Sequence, residues 1–289
     1  MGGQRPASAP DRYAVLGNPV AHSRSPFIHQ QFAEQTGQCL VYERLLCAMD
    51  GFAAAVRRFA AAGGRGCNVT LPFKFEVPAL ATQCTPRATL AAAANTLRFD
   101  GERWLADNTD GAGLVCDIEQ GAGRALRGQT VLVIGAGGAA AGVLGPILQQ
   151  QPSAVVVANR SLERAQALVD RHADWAVRHG ARLVACSLDE APGHGAFGVV
   201  INASSSSLQG AASPVAPAVL GLGSLAVDLM YGGAAAPWLL WARSHGAESR
   251  DGLGMLVEQA AEAFELWRGV RPLTPPVLQA LRQAMAAGH

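Results

Sequence analysis

The stretch that decides the fold is TVLVIGAGGAAAG, residues 130–142. Its first part, Thr130–Ile134, is a continuous apolar run, typical of a parallel strand that is covered on both faces. Next comes Gly135-Ala136-Gly137-Gly138-Ala139-Ala140, which matches G-x-G-x-x-A and opens an apolar helical segment. Glycines in this pattern permit a tight turn and let backbone N–H groups approach a pyrophosphate at the helix N-terminus. The stretch therefore predicts a Rossmann-type dinucleotide-binding domain.

The end of the following strand bears on the choice of dinucleotide. Asn159, Arg160 and Ser161 stand where an NAD site usually carries an acid for the ribose 2′-hydroxyl. An acid would repel a 2′-phosphate, whereas Arg160 can pair with one in a bidentate manner, and Arg164 follows one helical turn later. NADP is therefore the predicted cofactor. The alternative is a local role, in which Ser161 is a helix N-cap and both arginines are solvated.

Strand-like and helical segments alternate on both sides of this stretch, which predicts an α/β fold with mostly parallel strands. A second series of strands begins near residue 129 and starts a new domain. The last helix is amphipathic, with glutamates on its solvated face. The predicted strands are 13–16, 40–46, 66–69, 130–134, 154–158, 182–186, 198–201 and 225–228, and the predicted helices include 26–36, 52–62 and 252–269.

The composition excludes several classes of function. The 289 residues include 23 basic and 22 acidic side chains, so no cationic surface for nucleic acid or an anionic membrane is predicted. Six cysteines without a CxxC pair favour a reducing compartment, and seven histidines show no metal-binding spacing, so no metal is expected. We also expect no membrane helix and no signal peptide, because apolar runs of the necessary length are missing.

Three polar clusters interrupt the apolar N-terminal half, and their side chains suit a small polyhydroxylated ligand. Ligands of open α/β sheets bind beyond the carboxyl ends of strands, so loops at these places can converge on one pocket. The clusters are Ser23-Arg24-Ser25-Pro26, then Asn68-Val69-Thr70-Leu71-Pro72-Phe73-Lys74, and then Asn95-Thr96 with Asp107-Asn108-Thr109-Asp110-Gly111.

Lys74 is the single lysine of the chain, and every other basic side chain is an arginine. A partly desolvated ammonium can transfer a proton near neutral pH, which a guanidinium cannot, so Lys74 is a candidate acid. Local roles are the alternatives. In these alternatives, Lys74 is a surface lysine beside Phe73 and Phe75, Ser25 before Pro26 is a helix N-cap, and Asp110 occupies a cap or turn position.

Taken together, the ordered motifs resemble those of the shikimate dehydrogenase family from about residue 12 to 285. The resemblance implies a substrate domain at 1–110, an NADP-binding domain at 111–251, and C-terminal helices at 252–289 that return to the substrate domain, with a cleft that closes on the ligand. Further motifs are Gly17-Asn18-Pro19, Ala94-Asn95-Thr96, Asn202-Ala203-Ser204 and Asp251-Gly252-Leu253-Gly254-Met255-Leu256.

For function, the resemblance implies NADPH-dependent, reversible reduction of 3-dehydroshikimate to shikimate in aromatic amino-acid biosynthesis, by a cytoplasmic monomer or homodimer. Lys74 and Asp110 are the implied catalytic residues, and the division of proton transfer between them is open. One alternative is a quinate/shikimate dehydrogenase with broader substrate or NAD use. Another is a catalytically silent NADP-binding regulator, which would be expected to lack the lysine or the aspartate.

The resemblance also implies which residues bind the ligands. The substrate carboxylate is expected on Ser23, Ser25 and Tyr231, while the hydroxyls and the reacting oxygen are expected on Thr70, Lys74, Asn95, Asp110 and Gln259, with Asn68 also in the substrate set. To the cofactor residues already named it adds Ser204, Leu229, Gly252 and Met255. Gly252 and Leu229 would lie against the nicotinamide, and Ala140 stands where many family members carry serine.

Overall fold

The computed structural model of the chain describes residues 9–204 and 213–287, which form two six-stranded sheets with helices around them. The first part of the chain contains β1 (Asp11–Gly17), α1 (Ser25–Thr36), β2 (Leu40–Leu46), α2 (Phe52–Ala61), β3 (Gly64–Val69), β4 (Gln83–Cys84), α3 (Pro86–Ala91), β5 (Thr96–Asp100), β6 (Arg103–Asp107) and α4 (Asp110–Cys116). The second part contains β7 (Thr130–Ile134), α5 (Gly138–Gln149), β8 (Ala154–Ala158), α6 (Leu162–Arg178), β9 (Arg182–Cys186), β10 (Phe197–Asn202), β11 (Leu220–Asp228), α7 (Ala236–Ser244), β12 (Glu248–Arg250), α8 (Leu253–Arg268) and α9 (Thr274–Ala286).

The first sheet has the strand order β2-β1-β3-β5-β6-β4. Its predicted strands run parallel, since β1 pairs in parallel with both β2 and β3. The β5–β6 hairpin was not predicted, and β5 is antiparallel to both of its neighbours. Its two-residue loop is Gly101-Glu102, with Gly101 at φ +64°. Glycine at the first position of such a loop is the signal of a type II′ hairpin turn, so the sequence did carry this information.

The second sheet is entirely parallel and has the order β9-β8-β7-β10-β11-β12. Numbered from its own first strand this is 3-2-1-4-5-6, the order of a doubly wound dinucleotide-binding domain. The strands predicted at 130–134, 154–158 and 182–186 have the observed bounds, whereas β10 and β11 are longer than predicted and the three-residue β12 was missed. The predicted α/β fold class with a Rossmann-type domain is confirmed.

The C-terminal helices pack against the first sheet. The Trp267 indole of α8 donates to the Leu97 carbonyl at 3.0 Å, and the Phe264 ring meets Phe32 of α1 at 5.6 Å between centroids. The predicted amphipathic helix is therefore present, and the glutamates on its solvated side bond Arg271. The domain boundaries near 110 and 251 stay predictions.

The two segments that connect the sheets contact each other directly. Asp117, which is 2% exposed just after α4, accepts two hydrogen bonds from Arg250 at the end of β12, at 2.5 and 2.8 Å. Gly113 of α4 lies against the backbone of Gln259 in α8, since a Cβ on Gly113 would come within 2.6 Å of the Gln259 nitrogen. The absence of a side chain at residue 113 thus allows α4 and α8 to approach closely.

Within the described part of the chain, every helix is either too short or too polar to cross a membrane.

We expect Gly113→Ala to lower the free energy of unfolding by about 1–3 kcal/mol, because the added methyl overlaps the α8 backbone. This loss would exceed the gain of about 1 kcal/mol that alanine brings in a helix. Gly145→Ala in α5 is the matched control, since its methyl would meet the movable Leu90 Cδ2 at 2.8 Å. Urea denaturation of both variants measures the difference, and equal stabilities would contradict the close approach of α4 and α8.

Candidate active site

A buried lysine–aspartate ion pair lies beyond the carboxyl ends of the first sheet. Lys74 belongs to a short 3₁₀ turn, Phe73–Phe75, that follows β3, and Asp110 is the first residue of α4. The Lys74 Nζ lies 2.6 Å from the Asp110 Oδ2, and the two side chains are 12% and 6% exposed. The alternative interpretation of Lys74 as a solvated surface residue is therefore wrong.

Asn95 orients the aspartate and connects it to α8. Its amide group donates to the Asp110 Oδ1 at 2.8 Å and to the Gln259 Oε1 at 3.1 Å, while its own oxygen accepts the Thr109 N–H at 2.9 Å. Both oxygens of the Asp110 carboxylate are thereby fixed, one by Lys74 and the other by Asn95. The predicted Asn95, Asp110 and Gln259 form one buried network.

A second ion pair holds the end of β6, three residues before Asp110. Arg87 donates to both oxygens of Asp107, at 2.7 and 2.6 Å, and to Glu262 of α8 at 3.0 Å. Burial by itself raises the pKa of Asp107, but the hydrogen bonds and charge of Arg87, with hydrogen bonds from Thr85 and the Asn108 N–H, more than offset this, so that the pKa is lowered. Arg87 was not among the predicted residues, although it links α3, β6 and α8.

The predicted substrate residues line one cavity of about 440 Å³. Of the residues predicted for substrate, catalysis or cofactor, those on its wall are Ser23, Ser25, Asn68, Thr70, Lys74, Asn95, Asp110, Ala139, Ser204, Leu229, Tyr231, Gly252, Met255 and Gln259. The sequence analysis did not assign the other lining residues, which are Val15, Pro19, Val20, His22, Val69, Leu71, Ala203, Met230, Ala234 and Leu256. Most of these are apolar neighbours of the motifs, so proximity to a motif was the available signal.

The two serines at one end of the cavity hydrogen-bond each other. The Ser23 and Ser25 hydroxyl oxygens are 3.2 Å apart, and the Ser23 hydroxyl accepts the Ser25 N–H at 3.3 Å. The N-cap role considered for Ser25 is wrong, because Arg24 is the N-cap residue of α1 and no side chain caps the helix. The cap alternative for Asp110 is also wrong, since Thr109 is the N-cap residue of α4.

The Gly-rich loop joins β7 to α5, and Ala139 of this loop lines the cavity. Gly135 has φ +108°, which other residues rarely adopt, and a Cβ there would come within 3.0 Å of the Ala203 carbonyl oxygen. Gly137 faces open space, so its backbone is accessible to a pyrophosphate. A Cβ on Gly138 would lie 3.2 Å from the Lys74 Cβ, which places the loop against the lysine. The bare backbone at this helix N-terminus fits a dinucleotide.

Of the six predicted loop residues 135–140, Ala139 lines the cavity and the other five do not. Ala136 packs against the core of the second sheet, and Ala140 is fully buried within that core. A phosphate role for Ala140 would therefore involve its backbone N–H rather than its methyl group.

The residues predicted for a 2′-phosphate lie apart from the cavity, at the end of β8. Ser161 is the N-cap of α6, and its hydroxyl accepts the Arg164 N–H at 3.4 Å, as the local alternative proposed. The Asn159 amide donates to the Ser161 carbonyl at 2.9 Å. The Arg160 and Arg164 side chains are exposed, and neither guanidinium has a partner within residues 9–204 and 213–287. Two cations are thus available to an anion at this edge.

The fold and the lysine–aspartate pair beside a dinucleotide loop define an oxidoreductase of the two-domain α/β class. Proteins named shikimate dehydrogenase (NADP(+)) from Methylibium petroleiphilum and Acidovorax sp. are each 61% identical to this chain, covering 96% and 97% of it and 95% and 99% of their own lengths. Family models for the shikimate dehydrogenase substrate binding domain, shikimate/quinate 5-dehydrogenase and the shikimate 5′-dehydrogenase C-terminal domain match residues 15–97, 118–208 and 252–282. The chain belongs to the shikimate dehydrogenase family, which confirms the predicted resemblance.

Solved structures share the arrangement of both sheets. An Ael1 enzyme from Pseudomonas putida is 46% identical with a TM-score of 0.85, over 94% of this chain and 98% of that one. The shikimate 5-dehydrogenase of Thermus thermophilus, solved with NADP(H) and shikimate, is 32% identical with a TM-score of 0.82, over 95% and 99% of the two chains.

We expect Arg87→Met to lower the free energy of unfolding by about 3 kcal/mol, because it leaves the Asp107 carboxylate buried without its partner. The double variant Arg87→Met/Asp107→Asn removes that unpaired charge and should recover part of the loss. Arg98→Met is the control, since its partner Asp100 is 48% exposed and such pairs contribute less than about 1 kcal/mol. Urea denaturation tests this, and a double variant as unstable as the single one would contradict the pairing.

Proposed function

We propose that this chain catalyses the NADPH-dependent, reversible reduction of 3-dehydroshikimate to shikimate. The observation that carries the proposal is the buried Lys74–Asp110 pair, which shares one cavity with the predicted substrate side chains and lies against the Gly-rich loop. The relatives at 61% identity carry the name shikimate dehydrogenase (NADP(+)), which supports this substrate and this cofactor.

The substrate would lie between two groups of polar side chains. At one end, the hydroxyls of Ser23, Ser25 and Tyr231 would donate to its carboxylate, since ionised acceptors form the stronger hydrogen bonds. At the other, a hydroxyl and three carboxamides would hold the ring hydroxyls, because these groups can donate and accept. They belong to Thr70, Asn68, Asn95 and Gln259. The network around Asn95 is fixed before any ligand binds, which limits the ordering that binding requires.

Lys74 would be the acid that protonates the reacting carbonyl oxygen. Bound NADPH supplies the hydride that reduces the carbonyl carbon. The Lys74 ammonium would donate a hydrogen bond to the oxygen and then its proton, becoming a neutral amine as the hydroxyl forms. Asp110 would hold the ammonium in place through its Oδ2, while Asn95 holds the other carboxylate oxygen. We therefore assign proton donation to Lys74 and orientation to Asp110.

For the cofactor, we propose that the Gly135–Gly138 loop and the first turn of α5 bind the pyrophosphate, and that Arg160 and Arg164 bind the 2′-phosphate. Leu229, Gly252 and Met255 would form the apolar surface beside the nicotinamide, because all three line the cavity. The cytoplasmic location and the monomeric or homodimeric state stay predictions from the sequence.

The proposal is tested by measuring oxidation of shikimate and of quinate by the purified chain, with NADP⁺ and NAD⁺ in turn. We expect shikimate with NADP⁺ to give the highest kcat/KM. Arg160→Ala should reduce the preference for NADP⁺ over NAD⁺ by about tenfold or more, since hydrogen bonds to charged groups contribute about 1.5–3 kcal/mol. Arg178→Ala, in the last turn of α6 and so at the far end of that helix from Arg160, is the control and should leave the cofactor preference unchanged.

Activity on neither substrate would overturn the proposal. Higher activity on quinate with NAD⁺ would instead support the quinate/shikimate alternative, and an unchanged cofactor ratio in Arg160→Ala would remove the assigned role of that arginine.

We expect Lys74→Ala to lower kcat by about 10²–10⁴-fold, the usual contribution of general acid–base catalysis, with a much smaller change in shikimate affinity. Lys74→Arg is the informative control because a guanidinium can still pair with Asp110 but cannot give up its proton. Single-turnover rates and calorimetric binding of shikimate separate the two effects. Full turnover in Lys74→Arg would contradict the role of Lys74 as the acid, even if Lys74→Ala were inactive.

A further inference from the structure

An arginine outside the cavity holds the turn that carries the two serines. Arg44 lies in β2, and its Nε and Nη2 groups both donate to the Ser23 carbonyl oxygen, at 2.8 and 2.6 Å. The Arg44 side chain is otherwise exposed to solvent. Its positive charge is thus fixed directly behind the hydroxyls of Ser23 and Ser25, which face the cavity from the same turn.

The cavity wall itself offers little charge to a carboxylate. Of the described aspartate, glutamate, lysine and arginine residues, Lys74 and Asp110 are on its wall, and they neutralise each other in their 2.6 Å ion pair. Removing a carboxylate from water costs several kcal/mol unless hydrogen bonds and opposite charge compensate. Hydroxyl groups donate to a neutral carbonyl as well as to a carboxylate, so by themselves they select the charged group only weakly.

Two arginine side chains, Arg24 and Arg44, are near enough to the phenol of Tyr231 for their charges to act on it. Burial raises the pKa of Tyr231, whereas the backbone N–H of Arg24 and the charges of Arg24 and Arg44 oppose that rise. The peptide unit that joins Ser23 to Arg24 thus has the Arg44 guanidinium at its carbonyl and the phenol near its N–H. Hydrogen bonding at the carbonyl polarises the whole unit, which makes that N–H a stronger donor.

We infer that Arg44 is a specificity-determining residue, whose fixed charge behind Ser23 selects a substrate carboxylate over a neutral group. Arg44 does not line the cavity and is not a catalytic residue. The inference rests on the proposed function, in which Ser23, Ser25 and Tyr231 hold the carboxylate. It goes further by giving one residue of β2 a part in the charge selectivity of that end of the cavity, beside Arg24, whose charge also acts on Tyr231.

Steady-state kinetics with shikimate and with its neutral methyl ester test the inference. In Arg44→Gln, we expect the KM for shikimate to rise about tenfold, because a charge at short range in partly exposed surroundings is removed. The KM for the ester and both kcat values should stay within about twofold. Arg44→Lys keeps the charge without the two-pronged hydrogen bond, so it should retain most of the preference for the acid.

Arg103→Gln is the matched control, since Arg103 is an exposed arginine at the opposite end of β6 from Asp107. It should leave both KM values unchanged. Added salt should lower the wild-type preference for acid over ester, because the exposed guanidinium is partly screened, and it should have little effect in Arg44→Gln. The salt experiment on the wild type needs no variant, so a preference that ignores salt overturns the inference even if Arg44→Gln fails to fold.

Three results would overturn the inference. The first is an equal rise in KM for acid and ester in Arg44→Gln, which would mean that Arg44 only holds the loop. The second is an unchanged KM for shikimate in that variant. The third is a wild-type preference for acid over ester that does not change with salt. A wild-type chain that neither binds nor oxidises shikimate would defeat the proposed function and this inference together. A wild-type chain that oxidises shikimate while any of the three results is found would defeat the Arg44 inference alone.

Discussion

The ion pair between Lys74 and Asp110 is the interaction on which the site depends, because its two members come from different elements. Lys74 follows β3 of the first sheet, and Asp110 begins α4, the helix that leads toward the second. Whatever positions the start of α4 therefore also positions the carboxylate. Asp107, held by Arg87, fixes the strand end before it, and Asn95 fixes the carboxylate itself.

The sequence was most informative where local chemistry decides the structure. The strand at 130–134 and the glycines after it follow from apolar burial and from backbone freedom, and both are observed. β4 and β12, of two and three residues, have too short a pattern to separate from loops. The prediction of Ser25 as a helix N-cap is wrong, because the N–H and hydroxyl of Ser25 hydrogen-bond the Ser23 hydroxyl instead. The sequence Ser25-Pro26 alone does not reveal this contact.

Arg44 and Arg87 illustrate what a single sequence cannot supply. Each is one arginine among many, without a motif of its own, and its role depends on contacts with residues 20 or more positions away. Lys74 differed because its residue type is unique in the chain. The same holds for Asp117 and Arg250, whose pairing across 133 positions joins the two connections between the sheets. Tertiary contacts of this kind follow from the fold and not from local sequence preferences.

The uniqueness of Lys74 has a practical consequence. Its ε-amino group is the sole side-chain amine in the sequence, so reagents that acylate amines meet only this nitrogen and the α-amino group of the chain. The side chain is 12% exposed and opens onto the cavity, where a bound molecule would cover it. The extent of Lys74 acylation, measured by mass spectrometry, therefore reports the fraction of protein molecules whose cavity is occupied by a ligand.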